Sequence, residues 1–302
     1  MTHTRPWSLV PHVPQGSDGI LINHVSDTHF GYRSWSYAES NTMLQDYAEG
    51  LVPPVDLFLH TGDIVDGHGD DTTEDGYALD WLADVEPVAG QSLWCMGNHD
   101  IRARVNHTRA QWETIYGRSA NTYVDVGPYR VITFAADDHP DGTDYLWTPT
   151  PATWSWVADT AAAHNGPVIL ADHYPPTELG GVEPLNALLP QATLNDLIDG
   201  TPNIIGMMCG HMHKALNDLS AATFVTLGGR SIPLLTDISS MLSDVIGRDY
   251  SAQMQSTSAY VTVYPDRWEV RYRRHGSHAW GGPDDQRVTT MDLTGHTVTR
   301  GM

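Results

Sequence analysis

The stretch Gly97-Asn98-His99-Asp100, which closes the apolar run Ser92-Leu93-Trp94-Cys95-Met96, decides how the rest of this sequence is interpreted. A short apolar run of this kind predicts a buried strand. Polar side chains directly after it need partners, because a buried polar group without one costs about 1–3 kcal/mol. Glycine and asparagine also suit an ordinary turn, so the tetrapeptide alone leaves a turn and a functional site equally open.

The same arrangement recurs at four other apolar runs. The predicted strands cover residues 19–25, 55–59, 168–171 and 203–208. The polar clusters that follow them are Asp27 with His29, Asp63 with Asp66, His173, and His211 with His213. Five clusters at five strand ends are hard to explain as turns, and they predict one shared site at an edge of a sheet.

The order of the other elements predicts a layered α/β fold. Helices are expected at residues 36–50, 74–88, 151–164 and 185–198, between the strands, with a hairpin over residues 122–135. Further strands are expected at 222–227, 259–264 and 268–273, the last with one face buried and one exposed, and a short helix at 238–245. We expect an extension over residues 1–18 and one domain over 19–302, with 214–302 as its β-rich part.

Composition restricts the partners. The 302 residues carry a formal net charge of -21, and Lys214 is the only lysine. Extended nucleic acid is therefore not expected as a partner, because such binding uses many Lys and Arg contacts to phosphates. No apolar run approaches the ~18 residues that span a bilayer, and residues 1–19 lack the apolar segment of a secretory signal. With Cys95 and Cys209 inside apolar runs, the pattern is typical of a cytoplasmic protein without disulfides. Formation of a homo-oligomer stays open.

The clusters have the composition of a metal site. In Asp-x-His and His-x-His, residues two apart point to the same side, so both donors can reach one ion. Carboxylate, imidazole and amide oxygen without thiolate favour Mn, Fe or Zn in open sites over a structural zinc site.

In its five motifs the chain resembles the calcineurin-like metallophosphoesterase superfamily over residues 20–213. The motifs are Asp27-Thr28-His29, Gly62-Asp63-Ile64-Val65-Asp66, Gly97-Asn98-His99-Asp100, His173 and Gly210-His211-Met212-His213. The resemblance implies a four-layer αββα sandwich with two transition-metal ions at the strand ends.

The resemblance also implies a role for each site residue. The first metal would be held by Asp27, His29, Asp63 and His213. The bridging Asp63 would reach the second metal, completed by Asn98, His173 and His211. A hydroxide between the two ions would attack phosphorus. His99 would protonate the leaving oxygen, with Asp100 orienting its ring and Asp66 supporting the ligands.

The implied reaction is hydrolysis of a small phosphodiester, cyclic nucleotides among them, because the motif pattern is most similar to class III cyclic-nucleotide-type phosphodiesterases. Asp66 stands where purple acid phosphatases have a tyrosine ligand, and Gly67 stands where Ser/Thr protein phosphatases have an arginine. The alternatives are a phosphomonoesterase or protein-phosphatase-like activity, then a nuclease, then a non-catalytic scaffold of the same fold.

Some residues have two interpretations. His68 could line the substrate mouth or lie in a solvated loop, and Arg230 could meet a phosphate or form a surface salt bridge. His24 is expected to be a structural histidine. The arginines Arg271, Arg273 and Arg274 are expected on a solvated strand face. Core or hairpin packing is expected of Trp147, Trp154 and Trp156, in preference to a platform for stacking bases.

Overall fold

Two β-sheets with helices on their outer faces make up the fold. The computed structural model describes residues 10–11, 13–14, 17–30, 36–67, 71–88, 90–101, 108–135, 149–176, 189–213, 219–236, 257–280 and 288–301. Within these ranges the helices are α1 (Ser36–Ala48), α2 (Asp71–Val85), α3 (Arg109–Tyr116), α4 (Pro151–Ala162) and α5 (Gln191–Gly200). None of the helices in the described ranges has the length and hydropathy of a membrane span.

The first sheet contains β1 (Ile20–Val25), β2 (Leu57–His60), β3 (Ser92–Trp94), β10 (Thr257–Val263), β11 (Arg267–Arg274), β12 (Ala279–Trp280), β13 (Val288–Asp292) and β14 (Thr297–Gly301). Its order is β14-β13-β11-β10-β1-β2-β3, with β12 paired to β11. The strands β1, β2 and β3 are parallel. Their carboxyl ends therefore lie at one edge, each followed by a polar cluster.

The second sheet contains β4 (Thr122–Val126), β5 (Tyr129–Thr133), β6 (Val168–Asp172), β7 (Ile204–Cys209), β8 (Ala222–Leu227) and β9 (Arg230–Thr236). Its order is β4-β5-β6-β7-β9-β8, and β5, β6, β7 and β9 run parallel. The backbone N–H of Gly210, after β7, donates to the carbonyl of His173, after β6 (3.0 Å). This bond brings the last two clusters together.

The layers follow from the alternation of side chains along each strand. Ile169 and Ala171 of β6 enter the core between the sheets, whereas Leu170 faces the helices. On the outside of the first sheet, Trp81 of α2 packs edge-on against Phe58, with ring centroids 5.7 Å apart. On the outside of the second, Trp154 of α4 packs against Phe134 (5.4 Å). The predicted αββα sandwich is confirmed.

Local sequence explains where two of the helices begin. Thr108 caps α3 in a capping box with Gln111, and α3 ends at Gly117 in the left-handed conformation. Thr150 caps α4 by accepting from the backbone N–H of Thr153 (3.2 Å), with Pro151 at the first helical position.

Several predictions of elements need correction. β9, β13, β14 and α3 had not been expected, and α5 begins at Gln191 instead of residue 185. The predicted helix at 238–245 and Trp147 lie outside the described residues. Trp154 and Trp156 pack in or against the core as predicted, and both cysteines are free and buried. The division into an extension over 1–18 and a domain over 19–302 stays a prediction.

The prediction of a solvated arginine face on β11 is wrong. Six consecutive residues of β11 are buried, because β11 lies between β10 and β13 within the sheet. The guanidinium of Arg273 donates to both carboxylate oxygens of Asp46 in α1 (2.7 and 3.0 Å). His275 Nδ1 contacts the same carboxylate at 2.7 Å. A buried, charge-assisted cluster thus joins α1 to the C-terminal strands.

Candidate metal centre

The predicted ligands converge in two overlapping groups of side chains. Potential ligand atoms within 4.8 Å of one another come from Asp27, His29, Asp63 and His213 in the first group, and from Asp63, His173 and His211 in the second. All of these side chains are buried. Asp63 belongs to both groups, so its carboxylate lies where a bridging ligand is required.

The carboxylate of Asp63 has its two oxygens in different environments. Oδ1 accepts a hydrogen bond from the backbone N–H of His99 (2.7 Å). Oδ2 lies 3.3 Å from Nε2 of His173 and 3.6 Å from Nε2 of His29, so it faces one histidine of each group. Because the Oδ1 bond fixes the carboxylate, Oδ2 stays directed between the two groups.

Backbone strain concentrates at these residues. Among the described residues, seven non-glycine residues have a positive φ, and five of them are predicted ligands: Asp27, His29, Asp63, His211 and His213, with φ between 44° and 69°. This left-handed conformation is uncommon for non-glycine residues and persists where the surrounding structure enforces it. Such strain is typical of a functional site.

Gly97 allows the third motif to approach the bridging carboxylate. A Cβ at this position would lie against the backbone nitrogen and Oδ1 of Asp63, closer than real Cβ contacts allow. Only glycine therefore fits the Gly97 position, and the Asn98 and His99 positions depend on it.

In the first group the potential ligand atoms contact one another directly. Nε2 of His213 lies 2.9 Å from Oδ1 of Asp27 and 3.4 Å from Nε2 of His29. The other ring nitrogen of His29 faces Oδ1 of Asp66 at 3.3 Å. A carboxylate on the far nitrogen is the usual support of a metal-binding histidine, as predicted for Asp66.

The second group is oriented by its backbone. Nδ1 of His173 donates to the carbonyl of Thr61 (2.8 Å), which leaves Nε2 as the ligand atom. This Nε2 lies 3.1 Å from Oδ1 of Asn98, and Nδ1 of His211 lies 3.0 Å from the same oxygen. The two ring nitrogens are 3.2 Å apart. Asn98 thus completes the second group with an amide oxygen.

The carboxylates of the site raise the pKa of two of its histidines, whereas burial lowers the pKa of His211 to about 3. Burial by itself would lower the pKa of His29, but the carboxylates of Asp27, Asp66 and Asp63 raise it to about 10. Burial likewise opposes protonation of His173, yet Asp63 raises its pKa to about 9. Burial acts to raise the pKa of Asp63 and the histidines hold it well below its usual range. Cations in the two groups would supply positive charge to these carboxylates, so the donor set fits two metal ions.

One protein family matches the part of the chain that contains all five motifs. The family described as calcineurin-like phosphoesterase matches residues 20–215 of the chain. The chain belongs to the calcineurin-like phosphoesterase family. The predicted superfamily is confirmed, and with it a metal-dependent phosphoesterase.

Individual relatives agree with this membership. A protein of Rhodococcus erythropolis named "Probable cyclic nucleotide phosphodiesterase" is 30% identical over 217 residues, which are 68% of this chain and 67% of the relative. A dimetal phosphatase from Danio rerio shares the fold at 12% identity, with a TM-score of 0.63 over 91% of this chain and 99% of that one. A purple acid phosphatase from yellow lupin shares it at 14% identity, with a TM-score of 0.54 over 90% of this chain and 54% of that one.

In this calcineurin-like phosphoesterase, His99 is oriented by Asp66 and not by Asp100. Nδ1 of His99 donates to the backbone carbonyl of Asp66 (2.5 Å), so Nε2 is the nitrogen left to face the site, 3.9 Å from Oδ2 of Asp63. The carboxylate of Asp100 is taken up by the backbone N–H groups of Gly97 (2.7 Å), Ile64 (2.8 Å) and Val65 (3.1 Å). The predicted orienting role of Asp100 is wrong, because its oxygens join the loops of the second and third motifs.

Arg230 does not lie at the site. It begins β9, at the opposite end of the parallel strands from their metal-binding edge. Its guanidinium donates to the backbone carbonyls of Ile198, Thr201, Pro202 and Ile204. The expectation of a phosphate contact at the metal-binding edge is wrong. Within the described ranges the guanidinium bonds these backbone carbonyls instead of forming the expected surface salt bridge. His68 lies outside the described residues.

His60 and Thr28 support the first two motifs, and this pair of side chains was not predicted. Nδ1 of His60 accepts the backbone N–H of Gly62 (3.2 Å), and its Nε2 lies 3.1 Å from the hydroxyl of Thr28, which donates to the carbonyl of Ile64 (2.9 Å). Burial lowers the pKa of His60 to about 3, so the ring is neutral and can accept. The sequence shows His60 just before the second motif, but it does not show that His60 contacts Thr28. His24 is also buried and structural, with Nε2 2.9 Å from the hydroxyl of Thr61.

Proposed function

We propose that this protein is a dinuclear metallophosphodiesterase that hydrolyses small phosphodiesters, cyclic nucleotides included. The observation that carries the proposal is the shared position of Asp63, whose Oδ2 faces His173 and His29 of the two groups. Asp27, His29 and His213 would complete one site, and Asn98, His173 and His211 the other. Mn, Fe or Zn suits these oxygen and nitrogen donors.

Bound ions would activate water and neutralise charge on the phosphoryl oxygens. The chain's own part is to place the ligand atoms: the backbone N–H of His99 holds Oδ1 of Asp63, and Oδ2 faces both groups. The oxygen of a water molecule bonds to phosphorus as the ester P–O bond breaks, and this water releases one proton to solvent. Nε2 of His99, when protonated, gives its proton to the departing oxygen, while the Nδ1–H bond to Asp66 holds the ring in place.

The preference for diesters follows from charge. A phosphomonoester dianion carries more charge than a diester monoanion and benefits from an added cation beside the metals. Gly67, directly after Asp66, stands where Ser/Thr protein phosphatases have an arginine, so this position supplies no such cation. Its backbone is left-handed, with φ 66°. A proton donor such as His99 meanwhile serves the poor alkoxide leaving group of a nucleotide diester. The name of the Rhodococcus erythropolis relative supports the same substrate class.

The test is a comparison of two substrates under one metal and one pH. We expect kcat/KM for bis(p-nitrophenyl) phosphate to equal or exceed that for p-nitrophenyl phosphate, and 3′,5′-cyclic AMP to yield AMP. Asp63→Asn should remove both activities, whereas Asp266→Asn, on the exposed turn after β10, should leave them unchanged. A monoester preference of about a hundredfold or more would overturn the diester assignment.

A further inference from the structure

One peptide group links a buried carboxylate to His99. The carbonyl oxygen of Asp66 accepts from Nδ1 of His99 (2.5 Å), and the N–H of Gly67 donates to Oε2 of Glu74 (2.8 Å). This carbonyl and this N–H belong to the same Asp66–Gly67 peptide bond. Glu74 lies in the first turn of α2 and is 3% exposed, so its contact with the peptide is shielded from water.

The preceding peptide group, between Val65 and Asp66, is also held in place. The backbone N–H of Asp66 donates to the carbonyl of Phe30 (2.9 Å), in the loop that follows the first motif. The Asp66–Gly67 peptide therefore has little freedom to rotate away from His99. A carbonyl oxygen accepts and never donates, so the contact selects the His99 tautomer that carries its hydrogen on Nδ1.

The charge of Glu74 strengthens this selection. The peptide group is planar and conjugated, so its N–H and C=O respond together to a nearby charge. A carboxylate that accepts the N–H draws positive charge toward the nitrogen and leaves more negative charge on the oxygen. Hydrogen bonds in such a chain strengthen one another, and they do so most where the surroundings are buried.

We propose that Glu74 is a positioning residue for His99, which it holds in the Nδ1–H tautomer through the Asp66–Gly67 peptide group. The catalytic consequence rests on the proposed function, in which Nε2 of His99 protonates the leaving oxygen. The tautomer and the ring orientation do not rest on that function. A buried glutamate eight residues after Asp66 would otherwise serve only to bind the backbone N–H of Gly67.

The first test observes the histidine directly. In zinc-loaded protein with ¹⁵N-labelled histidine, the Nδ1–H resonance of His99 is assigned by its loss in His99→Gln. Glu74→Gln, which keeps the shape and removes the charge, should shift this resonance upfield and weaken its protection from exchange. Asp75→Asn is the matched control, because Asp75 is the neighbouring buried carboxylate of α2 and accepts from the hydroxyl of Tyr116 (3.0 Å). An unchanged resonance in Glu74→Gln would overturn the proposal.

A measurement on the wild-type protein covers the case in which Glu74→Gln does not fold. Scalar coupling across the hydrogen bond between Nδ1 of His99 and the carbonyl carbon of Asp66 should be detectable, as should coupling between the Gly67 amide and the Glu74 carboxyl carbon. Absence of either coupling would contradict the chain of hydrogen bonds that joins Glu74 to His99.

The second test separates positioning from general support. Glu74→Gln should lower kcat/KM for 3′,5′-cyclic AMP, which has an alkoxide leaving group, about tenfold more than for bis(p-nitrophenyl) phosphate. Equal losses on both substrates would mean that Glu74 only supports the loop, and would overturn the proposal. If the wild-type protein hydrolyses neither diester, the proposed function fails, and the resonance of His99 still decides the role of Glu74.

Discussion

The backbone N–H of His99 holds Oδ1 of Asp63 at 2.7 Å, while the imidazole of His99 turns to the carbonyl of Asp66. The backbone and the side chain of one residue thus serve different parts of the site. The backbone fixes the carboxylate shared by the two donor groups, and the ring is left to act on substrate. Substitutions of the side chain and substitutions of the carboxylate should therefore have different consequences.

The carboxylate of Asp63 should be required for both metals. Asp63→Asn removes the negative charge that faces both groups of histidines, so metal content measured by mass spectrometry should fall from about two ions per chain to below one. The exposed Asp266→Asn should keep full occupancy. Retention of two ions by Asp63→Asn would rule out the shared-ligand arrangement.

The side chain of His99 should be needed for proton transfer and not for metal binding. His99→Ala preserves the backbone N–H to Asp63, so the metal content should remain while kcat for cyclic AMP falls by about 10²–10⁴. The loss should be smaller for nitrophenolate esters, whose leaving group needs no proton. A variant that loses metal as completely as His173→Ala would show that the ring is a ligand.

The absence of a side chain at Gly97 should be as important for metal binding as a ligand is. In Gly97→Ala the added methyl group would collide with the backbone and carboxylate of Asp63, so metal binding and thermal stability should both decline. Gly76→Ala is the matched control, because a Cβ there meets nothing within 4 Å in the interior of α2. That change should stabilise the fold by about 0.5–1 kcal/mol. Equal melting temperatures for the two variants would contradict the packing described at Gly97.

The cluster around Asp46 should make the free energy of unfolding depend on pH in the acidic range. Although burial opposes ionisation, hydrogen bonds from His275, Arg273 and His278 hold the pKa of Asp46 below its ordinary value of 3.8. A carboxyl whose pKa is lower in the folded state stabilises the fold above about pH 4 and loses that contribution as the pH falls through the folded value. Asp46→Asn should therefore cost about 3 kcal/mol at neutral pH.

The free energy of unfolding of Asp46→Asn, compared with wild type from pH 7 to pH 2, tests this dependence. The difference between the two proteins should shrink as the pH falls below 4. A difference that stays constant over the whole range would show that Asp46 contributes by shape alone.

The sequence predicted the ligand clusters because each one follows an apolar run that only a buried strand explains. The parallel strands of both sheets then bring Asp27, Asp63 and His173 to a common edge. The contacts that support the ligands could not be predicted in this way. Asp46 and Arg273 are 227 positions apart, and no local pattern joins them.

Other errors arose where a strand lacks the sequence pattern that is typical of strands. β14 alternates exposed and half-buried residues and carries little apolar signal, and Pro233 lies inside β9. The orienting role of Asp100 toward His99 was an implication of the family resemblance. The carboxylate of Asp100 instead accepts hydrogen bonds from the backbone N–H groups of Ile64 and Val65, and no sequence pattern indicates these contacts.

The most direct test of the account is the position of metal in a crystal of manganese-loaded protein, located by anomalous scattering. We expect two peaks about 3.5–4 Å apart, with Asp63 in contact with both. One peak should lie among Asp27, His29 and His213, and the other among Asn98, His173 and His211. A single peak, or two peaks of which only one contacts Asp63, would contradict this arrangement.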